Sequence, residues 1–258
     1  MPETYVDIGL NLGHRRFDRD REEVLDRALA AGVTRMILTG TDVAESEAMA
    51  SLAAGRPGTL WSTAGVHPHD ASGCDDETLP ALRRLAQRSP VVAIGECGLD
   101  FNRDYSPRPA QEAWLQRQIE LACELSLPLF LHERDATERM VAILDSFGAD
   151  LPPGVVHCFT GDADALAAYL ERGRDPLKAL VGRVPLERLL VETDAPFLTP
   201  RDLRPRPKRN EPALLPHIAA VVASCRGCSL ADVASATTHN AERLFGLDRE
   251  RRHDRDKV

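Results

Sequence analysis

The sequence contains very little lysine and few aromatic residues. Lysine occurs only as Lys178, Lys208 and Lys257, and Phe, Trp and Tyr together make up 5% of the 258 residues. The formal net charge is −8, so the chain has no protein-wide positive field that could hold a polyanion. Any nucleic acid would therefore have to be bound locally, through a few arginines or through a metal ion.

Long apolar runs and a disulfide framework are also missing. No apolar run approaches the ~20 residues that a membrane-spanning helix needs, and residues 1–10 contain no basic segment of the kind that begins a signal peptide. We therefore expect a cytoplasmic protein with no membrane partner. The six cysteines should then be reduced thiols. The C-x-x-C pair of Cys225 and Cys228 lacks the second pair that would complete a zinc site.

Short apolar runs alternate with longer segments of helical spacing, which predicts an α/β fold with parallel strands and right-handed crossovers. The 43% hydrophobic content allows a sizeable core, and we expect one monomeric domain at 1–247 with a charged, solvated tail at 248–258. The predicted strands are 5–9, 35–39, 60–66, 91–96, 129–132, 155–158 and 189–193. The predicted helices are 20–31, 43–54, 76–88, 109–126, 135–147, 163–172, 177–183, 212–225 and 230–245.

This pattern is one strand short of a closed barrel, which has eight strands. A strand is due after the predicted helix at 163–172, but the residues beyond Gly173 lead directly into another helix. The predicted fold class is therefore a TIM-type (β/α) barrel with one expected strand missing between Gly173 and Arg174. Either residues are omitted between these two positions or the chain carries a true deletion. The first alternative is favoured, because losing an internal strand would expose two strand edges.

Potential metal ligands lie at, or directly after, the C-terminal ends of five predicted strands. The residues are His67, Glu96, His132, His157 and Asp194. In a parallel barrel all strand C-termini meet on one face, where active sites are built. Each residue alone has a structural explanation, as a core histidine or a turn carboxylate. Five such polar groups at one partly buried rim would each need a partner, so together they favour a metal site. Mixed nitrogen and oxygen ligands suit Zn, Mn or Fe, or Mg with more water.

A serine or cysteine nucleophile is disfavoured. Cys97 and Cys158 each directly follow a proposed ligand, so the alternation of a strand points them to the opposite side. The sequence also lacks a G-x-S-x-G elbow and a P-loop. Water activated by a metal ion is therefore the favoured nucleophile.

Arginines that could contact phosphate lie close to the same rim. Arg134 comes two residues after His132, and the proline-rich segment after Asp194 carries Arg201, Arg204 and Arg209. Contact with a nucleic-acid backbone is one use of such residues. A solvated loop in an arginine-rich protein is the other interpretation.

Motifs along nearly the whole chain resemble the TatD family of metal-dependent deoxyribonucleases, which are amidohydrolase-like TIM barrels. The resemblance runs from residue 7 to about residue 245. The matching stretches are DIGLNL, TGTD, STAGVHPHD, VVAIGECGLDFNRD, LFLHERDA, VVHCFTG, LLVETDAPFLTPRDLRP and KRNEPALLPHIAAVVA. The combination of GECGLDFNR, HCFTG and ETDAP is highly specific to this family.

The resemblance implies hydrolysis of phosphodiester bonds in DNA, chiefly as a 3′-to-5′ exonuclease on single strands, with RNA as a second substrate. It further implies Mg²⁺ as cofactor, with Mn²⁺ or Zn²⁺ as alternatives, and a part in repair of oxidative DNA damage. The family's metal ligands fall on Glu96, His132 and His157. Its catalytic acid, which can also touch metal, falls on Asp194, and His67 of the G-x-H-P-H motif lies at the same rim as a further catalytic residue.

Two departures from the family pattern affect these expectations. Many members carry an H-x-H pair on the first strand that completes a second metal site, whereas this chain has Asn11, Leu12 and Gly13 at that place. The number of ions, one or two, therefore stays open. The family also has a strand and loop of the type YIGITGW-x-C-DER, and its absence coincides with the position where the strand count falls short.

Two other functions remain alternatives. The same barrel could hydrolyse a small-molecule amide, ester or lactone, because one fold hosts many chemistries. A carbamylated-lysine bridge is disfavoured in that case, since Glu96 and not a lysine ends the fourth strand. The chain could also be an inactive scaffold, although the intact set of candidate ligands argues against it.

Overall fold

A single curled, parallel sheet is the frame of the protein in this computed structural model, which describes residues 3–159, 181 and 184–247. Its six strands are hydrogen-bonded in chain order. They are β1 (Tyr5–Leu10), β2 (Val33–Leu38), β3 (Leu60–Ala64), β4 (Val91–Asp100), β5 (Leu129–Arg134) and β6 (Gly154–Val156). The helices are α1 (Arg21–Ala30), α2 (Val43–Ala54), α3 (Thr78–Ala86), α4 (Arg108–Leu125), α5 (Thr137–Ser146), α6 (Leu215–Arg226) and α7 (Leu230–Phe245).

Both faces of the sheet are buried, as expected for parallel strands covered by crossovers. Every residue of β1 and of β4 is buried. Val6 and Ile8 of β1 pack with Phe130 of β5 and Phe245 of α7 in one buried cluster. Tyr5, which has the opposite parity in β1, packs in a second cluster with Val24 and Leu25 of α1. Because neighbouring strands are parallel, their polar C-terminal ends meet at one edge of this core.

The predicted helices agree with α1 to α7 to within three residues at each end. The predicted helices at 163–172 and 177–183 lie outside the described residues, apart from Val181, as do Gly173, Arg174 and the tail at 248–258. Gly173 and Arg174 are consecutive in the full sequence, so the alternative of a true deletion stands. In the described part of the chain no single helix has the length and apolarity to cross a membrane, and one sharply bent pair, Pro212–Arg226 with Leu230–Phe245, meets those two criteria together.

Strand β4 is longer than predicted, because it continues four residues beyond Glu96 to Asp100. In the ladder with β5, Gly98 pairs with His132 and Asp100 pairs with Arg134. A Cβ atom on Gly98 would lie 1.8 Å from the His132 carbonyl oxygen, so only glycine permits this pairing. The extra residues bring the Asp100 carboxylate alongside the His132 ring.

The prediction of a strand at 189–193 is wrong, because the segment runs beside β1 without forming a regular strand ladder with it. The Thr193 N–H donates to the Asp7 side chain at 2.9 Å instead of to a strand carbonyl. Within the described residues, the segment forms a single isolated bridge with β1, between Leu10 and Ala195. The Asp194 N–H donates to the Gly9 carbonyl at 2.9 Å, which keeps the segment at the edge of β1 and its side chains at the rim.

Candidate metal centre

Three imidazole rings converge on one carboxylate oxygen. Glu96 Oε1 lies 3.3 Å from His67 Nε2, 3.0 Å from His132 Nδ1 and 2.6 Å from His157 Nε2. All four side chains are buried, and ligand atoms of His67, Glu96 and His132 lie within 4.8 Å of one another. This spacing suits a shared cation. The structure brings these four residues together, while their roles as ligands stay predictions.

Different elements supply the four residues. Glu96 lies within β4 and His132 within β5, and His157 directly follows β6. His67 begins a short 3-10 helix, Pro68–Gly73, and its Nδ1 accepts the backbone N–H of His69 at 3.1 Å. The parallel order of the strands delivers these side chains to a common edge, as the sequence predicts.

The hydrogen bond at His67 Nδ1 bears on the role of this residue. Burial lowers the pKa of His67, although the nearby Glu96 carboxylate raises it, so the ring is neutral. A neutral imidazole that accepts at Nδ1 carries its hydrogen on Nε2, the atom that faces Glu96. His67 therefore lies within ligand distance but presents an N–H. This geometry fits a hydrogen-bond donor better than a metal ligand.

The second nitrogen of each of the other two rings faces a carboxylate. His132 Nε2 lies 3.5 Å from Asp100 Oδ2, and His157 Nδ1 lies 3.4 Å from Glu192 Oε1. If the single hydrogen of each neutral ring lies on these two nitrogens, His132 Nδ1 and His157 Nε2, the atoms nearest Glu96, offer their lone pairs to a cation. Carboxylates in this position orient metal-binding histidines and set their tautomers in many metalloproteins.

Asp100 is completely buried and well supplied with donors. It accepts the backbone N–H groups of Asn102 at 3.0 Å and Arg103 at 2.8 Å, and its Oδ2 lies 2.7 Å from His69 Nε2. Burial disfavours its ionised form, but the hydrogen bonds from Arg103 and His69 outweigh this effect and hold the pKa of Asp100 below its usual range. The carboxylate is therefore a fixed negative charge behind His132.

Glu192 has the corresponding position behind His157. One of its oxygens accepts the backbone N–H of Cys158, and the other lies where a Cβ atom on Gly9 would come within 2.4 Å. Glycine at this point of β1 leaves room for the carboxylate. Among the described residues, Glu192 Oε2, His157 Nδ1 and His132 Nε2 are buried without a hydrogen-bond partner.

The electrostatics of this cluster require a positive charge. Burial opposes the charged form of Glu96, but the charge of the neighbouring His157 outweighs this effect and holds the pKa of Glu96 well below the usual range. Burial likewise opposes a charge on His157, and Glu96 and Glu192 raise its pKa well above the usual range. A cation bound here would replace the proton on His157, so the donor set of two imidazole nitrogens and carboxylate oxygens fits a metal ion.

Asp194 adds a further carboxylate at the same edge. Its Oδ1 accepts the side-chain amide of Asn11 at 2.8 Å. Burial raises the pKa of Asp194 to about 7, and the charge of Glu192 adds to this effect. Asn11 directly follows the last residue of β1. In this chain that position supports a carboxylate instead of offering an imidazole.

The four predicted phosphate-binding arginines have different surroundings. Arg134 ends β5 and its Nη1 lies 3.9 Å from the Asp100 carboxylate, with a third of the side chain exposed. Arg201 and Arg204 are exposed, and Arg204 donates to the Arg201 carbonyl at 2.8 Å. Phosphate contact by these residues stays a prediction.

Arg209, the fourth of these arginines, is occupied by partners within the chain. Its Nη2 lies 2.6 Å from Asp20 and 2.7 Å from Glu211. The guanidinium also lies over the Phe17 ring, 4.7 Å from its centroid. These contacts tie the loop after Asp194 to the start of α1, which is a structural use of this arginine.

Sequence reasoning missed Asp100 and Glu192. Both follow the period-2 rule, because Asp100 lies four residues after Glu96 and Glu192 lies two residues before Asp194. In an extended chain such spacing puts side chains on one face. The signal was present in the GECGLD and ETD motifs.

A parallel α/β barrel sheet with a buried His and carboxylate cluster at its C-terminal edge defines the class of TIM-barrel hydrolases with a metal centre. The model of the TatD related DNase family matches residues 6–246. The chain belongs to this family.

Relatives of known name and structure agree with this assignment. A protein named 3′-5′ ssDNA/RNA exonuclease TatD from Pantoea ananatis (strain LMG 20103) is 48% identical over 257 residues, covering 93% of this chain and 99% of the relative. A protein of the same name from Cronobacter sakazakii (strain ATCC BAA-894) is 51% identical over 255 residues, covering 93% and 97%. The crystal structure of YjjV, a TatD homologue from Escherichia coli K12, superposes with a TM-score of 0.83 at 28% identity, covering 94% of this chain and 98% of that one. A TatD family hydrolase from Entamoeba histolytica gives 0.82 at 25% identity, covering 95% and 99%.

Proposed function

We propose that this chain is a metal-dependent 3′-to-5′ exonuclease that hydrolyses single-stranded DNA, with RNA as a second substrate. The observation that carries the proposal is the approach of His132 Nδ1 and His157 Nε2 to within 3.0 Å of Glu96 Oε1. Each ring has a carboxylate facing its other nitrogen. The relatives named above, at 48% and 51% identity, support the choice of substrate.

Glu96, His132 and His157 are the proposed ligands of the cation, with Asp194 completing the set. Mg²⁺ is the proposed ion, and Mn²⁺ or Zn²⁺ would accept the same donors. Such an ion, when bound, polarises the scissile phosphate and lowers the pKa of a bound water. One ion is proposed, because Asn11 places an amide where a second site would need an imidazole.

Asp194 is the proposed general base. Asn11 occupies Oδ1, so Oδ2 is assigned to the attacking water. Burial raises the pKa of Asp194 to about 7, which is close to the value at which a carboxylate accepts a proton most effectively at neutral pH. His67 is the proposed donor to a phosphate oxygen, through the hydrogen on Nε2.

Phosphate contacts outside the centre are assigned to Arg134, Arg201 and Arg204. They would supply affinity for the backbone without sequence preference. The cytoplasm is the proposed location, because all six cysteines are free thiols in the structure and unpaired cysteines are typical of a reducing compartment.

A labelled single-stranded oligonucleotide tests the function. With Mg²⁺ present, a 5′-labelled strand should shorten in one-nucleotide steps from its 3′ end, and a blocked 3′ end should stop the reaction. A panel of esters and lactones serves as the control. Faster turnover of a lactone or ester than of DNA would favour a small-molecule hydrolase. No turnover of any substrate, with no metal in the purified protein, would favour the scaffold.

A further inference from the structure

Exposed aromatic rings are concentrated at the rim of the metal centre. The large apolar side chains that are exposed in the described part of the chain are Leu29, Tyr105, Phe197 and Leu198. Tyr105 lies in the loop after β4, and Phe197 and Leu198 follow Asp194. Tyr105 is 66% exposed and Phe197 is 43% exposed. In a chain with only 5% aromatic residues, two rings are thus open beside one site, and each offers a flat face on which a planar group can stack.

Tyr105 is connected to the centre through His69. The two rings meet edge to face, with centroids 4.6 Å apart. The His69 ring in turn contacts His67 at 4.2 Å and has its Nε2 2.7 Å from Asp100. Tyr105 is therefore one side chain away from His67, and the contact with His69 holds its ring in place.

Phe197 has a similar connection on the other side, beside Asp194. Its backbone N–H donates to the Asp194 carbonyl at 3.0 Å. Its ring meets His14 edge to face, with centroids 5.1 Å apart. His14 is itself held by the backbone N–H of Arg16, which donates to its Nδ1 at 3.2 Å. Each exposed ring is thus buttressed by a histidine.

We propose that Tyr105 and Phe197 each stack on one nucleobase of the single-stranded substrate, on the two sides of the metal centre. This inference rests on the proposed function and explains how an acidic protein holds a polyanion. Every base has a π face, so stacking gives affinity without reading the sequence. A base inside a duplex has both faces covered by its neighbours. The two rings would therefore select unpaired ends.

Substitutions that remove the ring but keep an apolar side chain test the proposal. In Tyr105→Leu and Phe197→Leu, KM for a single-stranded oligonucleotide should rise about 5- to 100-fold while kcat changes little. Tyr105→Phe keeps the ring and should retain the wild-type KM. Leu29→Ala is the matched control, because Leu29 is exposed near the end of α1, at the opposite edge of the sheet. An unchanged metal affinity would show that each variant keeps an intact centre.

Abasic oligonucleotides assign each ring to a position. A single abasic residue is placed at each of the last three positions of the 3′ end. For the wild type, at least two positions should lower kcat/KM by about 5- to 100-fold. In Tyr105→Leu, kcat/KM should no longer respond to the abasic residue at one of these two positions. In Phe197→Leu, it should no longer respond at the other position. Variants that keep the full sensitivity of the wild type at every position would overturn the proposal.

Binding without hydrolysis separates this inference from the proposed function. An oligonucleotide with 2-aminopurine at a sensitive position is titrated with protein in EDTA. Stacking should quench its fluorescence with the wild type and Tyr105→Phe, and much less with Tyr105→Leu. If the wild type quenches the fluorescence but shows no nuclease activity, stacking on Tyr105 and Phe197 is supported and the proposed nuclease function is refuted. If the protein is a nuclease but all variants quench the fluorescence equally, only the stacking proposal is refuted.

Discussion

Asn11 and Asp194 are 183 residues apart in the chain, yet the side-chain amide of Asn11 donates to Asp194 Oδ1 at 2.8 Å. The bond joins the end of β1 to the segment that runs beside it. It fixes the direction of the carboxylate and lowers the pKa of Asp194, against the stronger effect of burial. The first prediction concerns this contact.

Asn11→Ala should lower kcat by about 10- to 100-fold, the range for losing a hydrogen bond to a charged group. KM should change little, because the amide acts on the carboxylate and not on the substrate. Steady-state kinetics on a single-stranded oligonucleotide measures both constants. Asn102→Ala is the control, because the Asn102 amide donates to Asp135 on the exposed surface. Equal effects of the two substitutions would argue against a role for the Asn11 contact.

Glu96→Gln and His157→Ala should each lower nuclease activity by more than about 100-fold. Glu96 Oε1 is the oxygen atom on which the three imidazole rings converge, and removing the charge of Glu96 or the ring of His157 leaves the cluster without a balanced charge. Excess EDTA should have the same effect on the wild type, and adding Mg²⁺, Mn²⁺ or Zn²⁺ back should identify the ion. Circular dichroism checks that the fold is intact. Full activity in EDTA would refute the metal mechanism.

Asp100→Asn should weaken metal affinity by about 10- to 100-fold. The amide can still accept the backbone N–H groups of Asn102 and Arg103, but its nitrogen cannot accept from His69 or His132. Isothermal titration with the metal measures the change directly. Asp104→Asn, which removes an exposed charge paired with Arg108 in the same loop, should leave the affinity unchanged.

Arg204 and Arg209 should behave differently when changed to glutamine. Arg204→Gln should reduce the slope of log affinity for single-stranded DNA against log salt by about 0.7, the value for one phosphate contact. Arg209→Gln should instead destabilise the fold, because it removes one of the two arginines that pair with Asp20 and Glu211 and leaves only Arg27 beside them. Salt titrations of binding and urea denaturation measure the two effects. If Arg209→Gln lowers the salt dependence of DNA binding and leaves the free energy of unfolding unchanged, Arg209 contacts phosphate and its structural role is refuted.

Asp7 should make the protein less stable as pH rises toward neutrality. Burial raises the pKa of Asp7 from 3.8 to about 7, so between these values the folded state holds a proton that the unfolded chain has released. The free energy of unfolding should then fall by up to about 1.4 kcal/mol per pH unit across this window. Asp7→Asn should flatten that slope in urea denaturation, whereas Asp145→Asn, an exposed change on α5, should not.

The sequence by itself determined the alternation of strands and helices and the residues that gather at the rim. Both depend on local rules, because apolar periodicity is read within one segment and parallel strands end at a common edge. Glu96, His132 and His157 could be found in this way without knowing any contact between them. The same rules, applied with period 2, would also have reached Asp100 and Glu192.

Only the tertiary structure decided which atom of each side chain does what. The hydrogen bond at His67 Nδ1 makes its Nε2 a donor, and Asp100 and Glu192 face the second nitrogens of His132 and His157. Tertiary contacts likewise gave Arg209 carboxylate partners and turned the Thr193 N–H toward Asp7 instead of into a strand ladder. These outcomes depend on partners from distant parts of the chain, and no local pattern specifies them.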